Sequence, residues 1–156
     1  MNTDLAGGCG CGALRYRLTA EPMIVHCCHC KDCQRQTGSA FVINAIIERD
    51  AIEIEQGNTV IYTMPTDSGR PHDLYRCEDC GTTVWSDYGR RETMLFVRVG
   101  ALDEPDRLPP DVHIFTRSKL AWVGLPENIP AFDVFYSSVE EFWPAEAVKR
   151  RRALGF

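Results

Sequence analysis

VHCCHCKDCQRQTG, residues Val25 to Gly38, places Cys27, Cys28, Cys30 and Cys33 within seven residues, with His26 and His29 among them. Cys28, Cys30 and Cys33 follow a C-x-C-x-x-C spacing. If the first two lie on a loop and Cys33 opens a turn of helix, three thiolates converge on one cation. Zinc held by three protein ligands keeps a fourth coordination position, which separates catalytic from structural zinc sites. Cys27 adjoins Cys28, so its side chain is expected to point away as a bystander. Two other readings stay open at this point. Cys27 or a histidine closes the coordination and makes a second structural zinc, or the thiols are metal-free or paired as a disulfide. His29 is expected to be exposed or to support a ligand. His26, His72 and His113 have no ligand spacing around them and are expected to be structural.

Outside that stretch the cysteines come in pairs. Cys77 and Cys80 sit in CEDCG, where a two-residue spacer lets both thiolates face one metal from a tight turn and Gly81 can take a positive φ. Cys9 and Cys11 sit in CGCG. Two such pairs make a tetrahedral thiolate site, closed and therefore structural, whose metal contributes folding free energy. The competing reading is four unligated cysteines packed as small apolar side chains.

The rest of the chain reads as short strands. Leu14, Tyr16 and Leu18 alternate with Arg15 and Arg17, a half-buried strand. AFVINAIIE (Ala40 to Glu48) is an apolar run short enough for a buried strand. IEIEQGNTVIYTM predicts two strands around a Gly57-Asn58 turn, with Ile52 and Ile54 on one face and Glu53 and Glu55 on the other. Further strands are expected at Asp73 to Arg76, Thr82 to Ser86, Met94 to Val99 and His113 to Phe115. Helix is scarce. Cys33 to Thr37 fits a short helical turn ended by Gly38. In the C-terminal stretch Ser138 and Glu141 fit a capping box, and Pro144 breaks that helix and restarts it. Asp103 to Val112 is the most irregular stretch.

A chain of 156 residues predicts one domain, residues 1–156, and 44% hydrophobic with 25% charged residues reads as a globular protein. A net charge of −5 argues against nucleic acid as a partner. No apolar run approaches the ~20 residues of a membrane span, and the first residues lack the basic and apolar regions of a secretory signal. The expected compartment is the cytoplasm, where clustered cysteines are metal ligands more often than disulfides. The run Lys149 to Arg152 reads as a basic last turn complementing a helix dipole.

GGCGCGALRYRL, CHCKDCQRQTGSAF, CEDCGTTVW and HIFTRSKLAWVGLPENIPAF, in that order, resemble the glutathione-dependent formaldehyde-activating enzyme family, whose domain centromere protein V also carries. The resemblance spans about residues 8–132 and leaves a partly helical C-terminal extension, 133–156. It implies a mainly β fold, a β-tent of short antiparallel sheets organised around a structural zinc, related to methionine-R-sulfoxide reductases and zinc-binding Rab-interacting proteins. It also implies that Cys9, Cys11, Cys77 and Cys80 are structural zinc ligands and that Cys28, Cys30 and Cys33 are catalytic ones. The occupancy of that second, three-cysteine site is left open. Cys27 matches no ligand position.

The activity so implied is a zinc-dependent carbon–sulfur lyase type, the condensation of glutathione with formaldehyde to S-hydroxymethylglutathione, or action on another thiol adduct. A small-molecule thiol is then the partner. Its carboxylates call for cations, and Lys31, Arg35, Arg70, Arg117 and Lys119 stand near the motifs. Two other functions compete: a non-catalytic zinc module that binds a partner, and a redox enzyme, for which Cys27 is the one spare thiol.

Overall fold

The structure, a computed structural model, describes residues 4–156. In chain order its strands are β1 (Leu5–Gly8), β2 (Arg15–Leu18), β3 (Ile24–Cys28), β4 (Val42–Glu48), β5 (Ile52–Gln56), β6 (Thr59–Met64), β7 (His72–Cys77), β8 (Thr83–Tyr88), β9 (Met94–Arg98) and β10 (Val112–Ile114). The helices are α1 (Lys31–Thr37), α2 (Val139–Phe142) and α3 (Ala145–Ala153). The fold is mainly β, as expected. The chain gathers into two compact units, one of residues 4–22 and 46–107, the other of residues 23–45 and 108–156.

In the first unit, β1, β2 and β5 form an antiparallel sheet, and β6, β7, β8 and β9 form an antiparallel meander. The period-two pattern of β2 explains its place. Tyr16 and Leu18 are fully buried, while Arg17 faces out and pairs with its cross-strand neighbour Glu53 at 2.7 Å. That pair is half-exposed on both sides, so solvent screens it and it contributes little to stability. Tyr16 packs edge-on against Trp85, with ring centroids 5.1 Å apart. Glycine at position 7 makes room for this, because a Cβ there would come within 2.7 Å of the Tyr16 ring.

The second unit is built on a parallel pair, β10 beside β3, in register His113 to Cys27 and Ile114 to Cys28. This parallel pairing departs from the all-antiparallel expectation, and its strands are buried throughout. The C-terminal stretch belongs to this unit's core. Tyr136, Trp143, Ala147 and Val148 are buried, and the Tyr136 hydroxyl lies 2.8 Å from His26 Nε2 and accepts a hydrogen bond from the Trp143 indole. His26 is therefore structural, as expected.

Three local expectations need correction. Ser138 stands at the N-cap of α2, but its side chain caps nothing and contacts Glu140 instead of completing a box with Glu141. Ile54 is 48% exposed, because β5 is the outer strand of its sheet and only Ile52 is part-covered. β1 and β3 are strands that the sequence reading does not include; LAGG is rich in residues depleted from strands, and in IVHCC only two strand-forming residues, Ile24 and Val25, precede the cysteine run. Pro144 does separate α2 from α3.

The Gly57-Asn58 turn is where expectation and structure agree most closely. Gly57 has φ +81°, and a Cβ there would lie 2.3 Å from the Ala13 carbonyl oxygen. Gly69 has φ +75° but open space around it. Gly69→Ala should therefore cost about 1 kcal/mol, the left-handed penalty alone, or roughly 2–4 °C in Tm. Gly57→Ala should cost at least twice that, because backbone must also move. Equal losses in a thermal melt would show that the approach to Ala13 relaxes freely.

Candidate metal centres

Three groups of ligand-type side chains converge among the described residues, each group's ligand atoms lying within 4.8 Å of one another. Two of the groups are made of cysteines that the sequence singled out. The third was not foreseen.

Cys9, Cys11, Cys77 and Cys80 meet in the first unit. Cys9 follows β1 directly, and the chain then turns through Gly12 at φ +80°, with the Gly12 amide donating to the Cys9 carbonyl at 3.2 Å. Cys77 ends β7, and Gly81 at φ +74° lets the chain re-enter as β8, its amide donating to the Cys77 carbonyl at 3.0 Å. The two turns are tied by Thr82, whose hydroxyl accepts from the Gly10 amide at 3.1 Å and lies 3.1 Å from the Cys80 sulfur. That hydroxyl, followed by the Thr82 backbone, lowers the Cys80 thiol to about 5. The Leu14 amide donates to the Cys9 sulfur at 3.2 Å. Sulfurs of Cys9 and Cys11 are 3.4 Å apart, and those of Cys11 and Cys77 are 4.0 Å apart. A tetrahedral zinc with bonds of about 2.3 Å has sulfur–sulfur edges of about 3.8 Å. The donor set and spacing fit a closed tetrathiolate site.

Cys28, Cys30 and Cys33 meet in the second unit. Cys28 ends β3, Cys30 is the N-cap of α1, and Cys33 lies inside its first turn, with its amide donating to the Cys30 sulfur at 3.3 Å. Gly38, in the left-handed region, closes the helix as the sequence predicts. The three sulfurs perturb one another. The Cys30 thiol is held well below its usual value by hydrogen bonds from Cys28 and Cys33, while those contacts and then burial push Cys28 up. Such mutual perturbation is what crowded thiols do when one negative charge must be shared. A cation is what lets all three ionise. The donor set fits zinc, and the group numbers three among the described residues.

The third group is Cys27, His29 and His113, also in the second unit. His29, expected to be exposed or supporting, is completely buried, and His113 is buried beside it. Cys27 does point away from Cys28, but toward these two rings. Burial raises the Cys27 thiol to about 12 and lowers His29 to about 4, the latter helped by His113 and Lys119. No sequence spacing announces this group, because His113 is brought in by strand pairing across 84 residues.

Of the cations near the motifs, Lys31 donates to Gln34 at 3.0 Å and Lys119 to the Leu120 and Val123 carbonyls at 3.2 and 2.7 Å. Arg35 and Arg117 are exposed in the second unit, whereas Arg70 belongs to the first. The basic run in α3 pairs with its own surroundings, Lys149 with Glu146 and Arg152 with Glu140. No helix of the described residues is long and apolar enough to cross a membrane.

Residues 4–118 match the family described as glutathione-dependent formaldehyde-activating enzyme. A protein of Halomonas elongata is 27% identical over 126 residues, covering 78% of this chain and 80% of its own length. A protein of Penicillium rubens is 28% identical over 143 residues, 88% of this chain and 65% of its own length. Both carry glutathione-dependent formaldehyde-activating enzyme as a provisional name. A solved structure of a Rhodobacter sphaeroides protein aligns with 81% of this chain and 99% of its own, at 19% identity and a TM-score of 0.45.

Gln34 holds the turn that carries the three cysteines. Its amide nitrogen donates to the His29 carbonyl at 2.8 Å and to the Ser118 carbonyl at 2.9 Å. Gln34→Ala should lower stability by about 2 kcal/mol, two net hydrogen bonds. Gln56→Ala removes one exposed bond to the Ala13 carbonyl and should cost less than about 0.5 kcal/mol. Denaturant midpoints at unchanged m-value measure the difference; a Gln34 variant as stable as the Gln56 variant would mean the turn is held by something else.

Proposed function

The chain belongs to the glutathione-dependent formaldehyde-activating enzyme family, and from that premise we propose that it is a zinc-dependent carbon–sulfur lyase-type enzyme that adds glutathione, or a similar thiol, to formaldehyde. The observation that carries the reading is the convergence of Cys28, Cys30 and Cys33 as a group of three. In the proposed reaction the thiol S–H adds across the carbonyl. A sulfur–carbon bond forms, the carbon–oxygen π bond breaks, and the thiol proton ends on the new hydroxyl oxygen. The reverse reaction cleaves that carbon–sulfur bond.

A free thiol has a pKa near 8.5 and is mostly protonated at neutral pH. Zinc held by the three cysteines would supply a fourth coordination position and favour the thiolate form of a thiol that takes it. The protein's own part is to present three sulfurs from two elements of fixed geometry, the end of β3 and the start of α1. Three thiolates leave the group electron-rich, which suits a thiol nucleophile better than water activation. Arg35 and Arg117 are the proposed partners for the substrate carboxylates, since both are exposed cations of the same unit. The four outer cysteines are proposed to hold a structural zinc, far from needing an open position because four sulfurs complete its shell.

Two substitutions separate these roles. Cys80→Ser should abolish cooperative unfolding or solubility, because it removes a ligand whose metal is part of the folding free energy. Cys30→Ser should leave the fold nearly intact and remove one zinc equivalent. A Cys80 variant that melts within a few degrees of wild type would contradict the structural role, and a Cys30 variant with unchanged metal content would contradict the inner site.

Thiol binding is tested on cobalt-substituted protein by glutathione titration. Glutathione should change the sulfur-to-cobalt charge-transfer bands, with an affinity that rises with pH up to the free thiol's pKa near 8.5, since binding as thiolate releases a proton. S-methylglutathione should bind much more weakly and leave the bands unchanged, as should glutathione with Cys30→Ser. Equal binding of both compounds would exclude direct thiolate ligation. A zinc-replete protein that binds neither would fit the non-catalytic module instead.

A further inference from the structure

We infer that Cys27, His29 and His113 form a third, buried cation site, on the face of β3 opposite the Cys28–Cys30–Cys33 group, which takes a thiophilic divalent ion of the zinc class. The three side chains reach one point for a reason built into the backbone. Side chains alternate along an extended chain, so Cys27 and His29 share one face while Cys28 and Cys30 share the other. The parallel register places His113 directly beside Cys27. The His29 amide donates to the Ile114 carbonyl at 3.0 Å, which carries the β3–β10 pairing one residue further and fixes the His29 ring on that face. The result is a thiol at 1%, an imidazole at 0% and an imidazole at 6% exposure.

No neutral network satisfies every group here, and three lone-pair donors converge on one point. His29 Nε2 lies 3.6 Å from the Cys27 sulfur and 3.0 Å from His113 Nδ1. A neutral imidazole nitrogen is either a donor or an acceptor. If Nε2 donates to His113, the Cys27 thiol cannot donate to it. If it accepts from Cys27, it has no proton for His113. The other nitrogens, His29 Nδ1 and His113 Nε2, are buried and have no partner. Either tautomer of the pair therefore leaves a buried N–H without an acceptor. One positive centre serves all three lone pairs at once. Tetrahedral zinc, with bonds of about 2.3 Å to sulfur and about 2.05 Å to nitrogen, has sulfur–nitrogen edges of about 3.6 Å and nitrogen–nitrogen edges of about 3.3 Å. The observed 3.6 and 3.0 Å need only a small opening of the two rings. Ligation puts a proton on both outer nitrogens, one more buried N–H without an acceptor than the neutral pair has, a cost smaller than the free energy of binding such an ion.

Charge also favours the arrangement, a point that rests on the proposed three-thiolate zinc site. A divalent ion with three thiolates carries a net negative charge, and one with a single thiolate and two neutral imidazoles carries a net positive charge. Two sites of opposite sign face each other across one strand.

Cadmium-113 NMR of protein expressed with cadmium in place of zinc tests the inference. Wild type should give three resonances, two from sulfur-rich sites and one from a site of mixed sulfur and nitrogen ligands, the last coupled to histidine ring protons. Cys27→Ala and His113→Ala should each remove the mixed resonance and keep the other two. A wild-type spectrum without the mixed resonance, or a mixed resonance that survives both substitutions, would overturn the site. The mixed resonance in wild type and its ring-proton coupling decide the matter even if a variant does not fold. Loss of a sulfur-rich resonance, with the mixed one present, would count against the three-thiolate reading and not against this one.

Discussion

The side-chain alternation of β3 is the constraint on which the chemistry depends. In an extended strand one residue separates the two faces, so the same four-residue stretch, Cys27 to Cys30, feeds two different groups. A slip of one residue against β10 would exchange them. The register is held by the buried Val112 and Ile114, by the His29 amide on the Ile114 carbonyl, and by Asp111, whose carboxylate accepts from the Val25 amide at 2.8 Å. Helix α1 then begins at once, and its N-cap is itself one of the thiols.

The two cysteine-only groups solve different physical problems. The outer four sit in two turns at the surface of their unit, with Cys11 and Cys80 exposed. Tight turns expose backbone donors, and one amide and one hydroxyl are already directed at sulfur. Little apolar packing holds these turns, so closing them falls to whatever binds the sulfurs. The inner three are largely buried against a strand and a helix that exist without them. Their crowding makes full ionisation unfavourable until a cation is present, and a group of three keeps room for a fourth ligand. The thiol chemistry proposed for the inner group rests on family membership and on this geometry.

Local chemistry was legible in the sequence, and long-range pairing was not. Cys-x-x-Cys in a turn closed by Gly81, the C-x-C-x-x-C run, the Gly57-Asn58 turn and the Gly38 helix stop are all written within a few residues, and the structure has each of them. The Cys27–His29–His113 group is written nowhere locally. It needs the parallel pairing of β3 with β10, which joins residues 84 apart in sequence. The burial of His29 has the same origin: its position between two cysteines leaves exposure open, and the pairing with a distant strand buries it. The capping box at Ser138 failed because a motif states only what a side chain can do, and here Ser138 turned to Glu140.

The central claim is that a substrate thiol takes the open position of the Cys28–Cys30–Cys33 group. Zinc-edge X-ray absorption, with the selenol analogue of glutathione in place of the thiol, tests it most directly. Wild-type protein should show a zinc–selenium shell that is missing in Cys30→Ser. A spectrum without that shell in wild-type protein saturated with the analogue would contradict it.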